Sequence, residues 1–197
     1  MKIIDTTTFF EETMMMNIRF NILNSYVDKF IVCESIFSHS GKRKKINFNL
    51  EDYPEFKDKI IHIVIDREPV DLIKKKNLSP QEKRLNSIYR IRDQRNYIKT
   101  ALKKFSPEDY IIHSDNDEIP NLENFNLKSS KKKFIIFDQK LFYYKFNLFV
   151  PNLNWYGSKA CKLKYLKSVD FLRNIKNKKY SYFRLDTLFN DNKQSSL

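Results

Sequence analysis

The chain has 197 residues, a net charge of +13, 41% hydrophobic and 15% aromatic residues. That length suits one domain, able to bury roughly 70% of the surface its unfolded form exposes. The apolar content excludes disorder by composition, and no apolar run approaches the ~18 residues that span a membrane.

The charge invites a basic, non-enzymatic binding module for nucleic acid or an anionic surface, because lysine-rich patches gain energy by releasing counterions. However, 28 lysines against 9 arginines, with only 2 glycines and abundant Asn, Ile and Phe, resemble the amino-acid usage of an AT-rich genome. The runs Lys42-Arg43-Lys44-Lys45, Lys74-Lys75-Lys76 and Lys131-Lys132-Lys133 adjoin turns and read as solvated loops, with peripheral contact to an anionic membrane as their functional alternative. Nucleic acid is not the expected partner. The N-terminus lacks an export pattern, so the expected location is cytoplasmic. Cys33 and Cys161 belong to no CxxC or zinc spacing and read as buried free thiols.

In chain order, Lys2–Phe10 reads as a strand with its exit loop, and Glu11–Tyr26 as a helix with an apolar stripe at Met15, Ile18, Ile22 and Tyr26. Phe30–Glu34 is a second strand, Leu50–Phe56 a short helix and Ile60–Ile65 a third strand. A charged loop, 66–79, ends at Ser79-Pro80-Gln81-Glu82, an N-cap followed by proline in the first turn; its helix runs to about Lys104. Tyr110–Ile112 is a fourth strand. Phe134–Phe137 and Leu141–Val150 read as antiparallel strands, Lys159–Leu166 as another, and the stretch from Asn174 gives no element. Strands alternating with helices predict one α/β domain.

The fourth strand runs into Ser114-Asp115-Asn116-Asp117-Glu118-Ile119-Pro120. Ligands of open α/β sheets collect outside the carboxyl ends of strands. Asp115 and Asp117 bracket one residue, and Mg²⁺ or Mn²⁺ is commonly held by one or two carboxylates with water and substrate phosphates. Asp-x-Asp alone describes many solvated turns. Here a third carboxylate, Glu118, follows within four residues, and Ile119-Pro120 fixes an extended exit. On the preceding helix Arg95 shares a face with Ile91, Ile98 and Leu102, so its guanidinium needs a phosphate or an acid as partner.

Three blocks resemble glycosyltransferase family 17, the β-1,4-mannosyl-glycoprotein 4-β-N-acetylglucosaminyltransferases. They are Asp5–Phe10 with Met16–Phe20 and Val27–Ser35; Gln94-Arg95-Asn96; and Pro107–Pro120. Asn154–Lys159 is a weaker echo. The resemblance implies a GT-A fold, a Rossmann-like mixed sheet flanked by helices, in which residues 1–120 bind the nucleotide sugar and residues 121–197 form the acceptor side. It implies a divalent metal and a UDP-sugar, with Asp115 near ribose and metal, Asp117 as metal ligand, and Asp5, Thr6 and Glu34 flanking the nucleotide. The family's Gly-Gly-Trp-His-type C-terminal segment has no counterpart here, which predicts a chain short of the full acceptor side.

The implied reaction is an inverting displacement onto a glycan or glycoprotein acceptor. Glu118 and Asp138 are the candidate bases. Trp155 and Tyr156 are candidate acceptor contacts, since an aromatic ring stacks on the apolar face of a sugar, although a core role suits them equally. A haloacid-dehalogenase-type Asp nucleophile is disfavoured, because that motif opens its fold's first strand whereas this one lies at residue 115.

Overall fold

The computed structural model describes residues 1–144 and 147–176. The elements are β1 (Ile3–Phe9), α1 (Thr13–Leu23), β2 (Lys29–Ser35), β3 (Ile60–Ile65), α2 (Pro80–Leu102), β4 (Tyr110–His113), β5 (Phe134–Ile136), β6 (Gln139–Phe142), β7 (Phe149–Trp155), β8 (Lys159–Lys162) and α3 (Val169–Asn174). Six strands form one mixed sheet in the order β3-β2-β1-β4-β8-β5, and β6 and β7 form a separate hairpin. β1 to β4 are parallel, with Asp5 opposite both Phe30 and Ile112, while β8 runs antiparallel to β4 and β5. The expected Rossmann-like mixed sheet flanked by helices is therefore present, and it is compatible with a glycosyltransferase-type fold. Residues 134–136 and 159–162 complete the same sheet that residues 1–113 begin.

Period-two alternation divides the core between the two faces. Ile3, Phe30, Val32, Tyr110 and Ile112 pack with Met16, Phe20 and Leu23 of α1 and with Phe48, Tyr53 and Phe56. Ile4, Ile31, Cys33 and Ile111 pack with Ile98 and Leu102 of α2 and with Val169 and Leu172 of α3. Both cysteines are free and buried on this second face, as expected. No helix among the described residues is long and apolar enough to cross a membrane.

Several elements differ from the sequence reading. The buried stripe of α1 is Met16, Arg19, Phe20 and Leu23, whereas Ile22 and Tyr26 are exposed. Apolar residues crowd two sides of this helix, and the side that wins contains an arginine. The short helix at 50–56 is two 3₁₀ turns, Leu50–Asp52 and Pro54–Phe56, because Pro54 lacks the N–H that a continuous helix needs. The strand expected over 141–150 is instead the end of β6, a turn with Tyr144 at φ 60°, and the start of β7. Tyr143 N–H donates to Leu148 O across that turn at 2.9 Å. The last strand stops at Lys162, and α3, unforeseen, follows. By contrast, α2 starts at the expected N-cap, Ser79, with Pro80 in the first turn, and the structure adds a capping box in which Ser79 and Glu82 bond each other's backbone. The unassigned stretch from 177 to 197 lies outside the described residues.

Candidate active site

The chain leaves β1 through α1 toward β2 and β3, then returns through α2 to β4 on the other side of β1. The carboxyl ends of β1 and β4 thus flank the point where the winding direction reverses, the usual ligand crevice of such sheets. Asp115 to Glu118 lie at this point, directly after β4.

The loop is gripped from both faces of the sheet. From the α1 face, the fully buried Arg19 pairs with both oxygens of Asp5 at 2.6 and 2.7 Å and donates to Ser114 Oγ at 2.7 Å. Its remaining nitrogen donates to the carbonyls of Asp115, Asn116 and Glu118 at 3.1 to 3.4 Å. From the other face, Arg95 and Arg173 reach opposite oxygens of Asp115, at 3.2 and 2.9 Å. Burial alone would raise the Asp115 carboxyl, but Arg173 and Arg95 outweigh it and hold the carboxyl below its usual range.

Glu118 is 7% exposed and saturated. Oε1 accepts from Trp155 Nε1 and Arg173, both at 2.7 Å, and Oε2 accepts from the Asp115 amide at 3.1 Å. Its carboxyl lies so close to Gly157 that a Cβ there would overlap it, so this approach requires glycine. Asp117, by contrast, is exposed and has no hydrogen bond or ion pair among the described residues.

The residues of Gln94-Arg95-Asn96 each tie elements together. Gln94 Nε2 donates to Cys33 O at 2.9 Å and Phe9 O at 3.4 Å, joining the ends of β2 and β1. Arg95 also reaches Asp170 at 3.4 Å, and Asn96 accepts from the Asp170 amide at 3.0 Å, fixing α3. Lys159 donates to the Arg173 carbonyl; burial, reinforced by Arg173, pushes its ammonium down to about 8. Arg19, Arg173 and Lys159 were not foreseen as site residues. An arginine within the apolar run Met14–Leu23 was the signal for Arg19, and the Ser168 cap was the signal for the helix that carries Arg173.

The other expected residues occupy the walls. Asp5 is 1% exposed and engaged by Arg19, so it supports the loop through that arginine. Thr6 donates to Ile112 O at 2.9 Å and lies 3.0 Å from His113 Nδ1, which makes Nδ1 the protonated nitrogen. Burial, with Arg95 beside it, pushes His113 down to about 3, and its Nε2 has no partner. Glu34 is enclosed and accepts from Lys44 and from the amides of Asn47 and Phe48, which shapes the loop after β2. Trp155 is 42% exposed beside Glu118. Tyr156 packs against the α2 and α3 face, with its hydroxyl 3.3 Å from Asn154 Nδ2. Asp138 is exposed and accepts from Asn154 at 2.7 Å.

Among the described residues no three or more His, Cys, Asp or Glu side chains gather to hold a metal. A free carboxylate at Asp117 beside the arginine-held Asp115 fits Mg²⁺ or Mn²⁺ bound by one or two carboxylates with phosphate and water, and does not fit a closed protein cage.

Compared with known proteins, the chain matches no curated protein and no solved structure. The model of glycosyltransferase family 17 matches residues 1–176, which spans β1 through α3 and every side chain of the site described above. The chain belongs to glycosyltransferase family 17.

Proposed function

We propose that the chain transfers N-acetylglucosamine from a UDP-sugar to a glycan or glycoprotein acceptor, with inversion and with Mn²⁺ or Mg²⁺. Residues 1–120 together with Arg173 serve the donor, and the other later residues the acceptor. The observation that carries this reading is the pairing of a free carboxylate, Asp117, with a loop backed by Arg95 and Arg173 at the β1/β4 crevice. Guanidinium groups suit phosphate oxygens as well as carboxylates, so Arg95 and Arg173 can hold Asp115 and also share themselves with a diphosphate when donor binds.

Asp117 would hold the cation, with Asp115 beside it. A divalent ion there supplies charge stabilisation to the departing diphosphate. Arg19 keeps the loop seated throughout, and Glu118 orients it by fixing the Asp115 amide. The arrangement speaks against Glu118 as base, because both of its oxygens are already engaged.

Calorimetric titration with UDP, with and without Mn²⁺, tests the reading. UDP should bind only with metal, and Asp117→Ala should weaken it at least about tenfold, or ~1.4 kcal/mol. A wild-type protein that binds no nucleoside diphosphate in Mn²⁺ would overturn it.

A further inference from the structure

The acids around the carboxyl edge of the sheet differ in what holds them. Asp5 is held by Arg19, Glu34 by Lys44 and two amides, and Asp115 by Arg95 and Arg173. Glu118 is held by Arg173, Trp155 and an amide, and Asp170 by Arg95 and Asn174. Asp117 and Asp138, like Glu11 after β1 and Asp66 after β3, are exposed and in no ion pair among the described residues. A carboxylate gripped by guanidinium has its lone pairs occupied, which disqualifies it as a proton acceptor.

Asp138 is the last residue before β6. It follows β5, which runs parallel to β4 because both are antiparallel to β8, so it emerges at the same edge as Asp115. Ile136, two residues earlier, packs on the α2 and α3 face, the face from which Arg95 and Arg173 enter the site. Two connections tie this corner to the donor loop: the Phe137 amide donates to Ser158 O at 3.0 Å, and Ser158 Oγ donates to Glu118 O at 2.9 Å. The Asp138 carboxylate takes one neutral hydrogen bond, from Asn154 Nδ2 to Oδ2, which leaves Oδ1 without a partner among the described residues. Trp155, the next residue of β7, is half exposed and points to the opposite face of the hairpin, with its indole on Glu118. Phe142 and Phe149, also half exposed, lie 5.7 Å apart further along the hairpin.

We propose that Asp138 is the catalytic base of the transfer, oriented by Asn154, with the acceptor sugar lying along the face of the β6–β7 hairpin that carries both side chains. The acceptor hydroxyl gives its proton to Asp138 as its oxygen bonds to the anomeric carbon. The bond from that carbon to the diphosphate oxygen breaks, its electron pair leaves with the diphosphate, and Asp138 later returns the proton to water. This inference rests on the donor reading above, and Asp117 is excluded from the role because that reading commits it to the cation.

The test measures UDP released from UDP-N-acetylglucosamine in Mn²⁺, with water alone and with N,N′-diacetylchitobiose or lactose as acceptor, alongside calorimetric UDP affinity. Asp138→Asn should lower the release rate at least about a hundredfold while UDP affinity stays within about twofold. Emission from Trp155, the only tryptophan, checks that the variant keeps its hairpin. An Asp138→Asn protein that releases UDP at the wild-type rate, or that loses UDP affinity, overturns the assignment. So does a wild-type protein that binds UDP yet releases none in any of these mixtures. A wild-type protein that binds no UDP overturns both this proposal and the donor reading.

Discussion

Arg19 meets six acceptor atoms from a fully buried position: two on Asp5, one on Ser114 and three main-chain carbonyls. Removing one partner of a buried pair leaves the other charge uncompensated, so Arg19→Met should cost about 3–5 kcal/mol, measured by urea unfolding. Arg19→Lys should recover little, since an ammonium lacks the fork that spans the Asp5 carboxylate and the loop. Residue-scale chemistry also sets the alkaline behaviour. Burial pushes the Cys161 thiol up to about 12 and Cys33 higher still. Above pH 9 the unfolded chain loses thiol protons that the folded chain keeps, so stability declines as pH rises from there. Lys159 acts oppositely between about 8 and 10.5, where the unfolded chain holds the extra proton. Urea midpoints of wild type and a Cys33→Ala, Cys161→Ala double variant therefore isolate the thiols, and the variant should show the shallower decline between pH 9 and 10.5. That both thiols are buried was legible from their neighbours; that an arginine is the most consequential core residue of α1 was not, because the apolar run offers another stripe without a charge.

Among the elements, the 114–118 loop depends on close contact with the segment joining β7 to β8. Gly157→Ala would drive a methyl into the Glu118 carboxyl, whose three hydrogen bonds oppose any retreat. The variant should lose about 1–3 kcal/mol, and Trp155 emission should shift to longer wavelength as the indole parts from Glu118. An unchanged spectrum with unchanged stability would show that the carboxyl moves freely. The strands β1 to β4 and helix α2 were readable because each combines a strong period with clear stops, the Ser79 N-cap followed by Pro80 above all. The β6–β7 hairpin was not, since its aromatic run carries no Asn-Gly or Gly turn signal and reverses at a tyrosine with positive φ. Six-residue α3 was also missed; too short to show a helical period, it is held by Asn96 and Arg95 of α2.

For the whole molecule, the α/β order and the acidic loop at the end of β4 followed from the alternation of elements, and the family assignment agrees with them. The insertion of β8 between β4 and β5 could not be read, because sheet order depends on pairings between segments far apart in sequence, such as Ile111 with Cys161. The site is assembled across similar separations. The loop meets its cation from the third helix only when Arg173 arrives, 58 residues after Asp115. On the ribosome, where domains form as the chain emerges, Arg19 and Asp5 are already available when residues 115–118 appear, whereas Arg173 is still to be made. The nascent protein therefore passes through an interval in which Arg19 is present to hold the loop while Arg173, one of the two guanidinium groups on Asp115, is still missing.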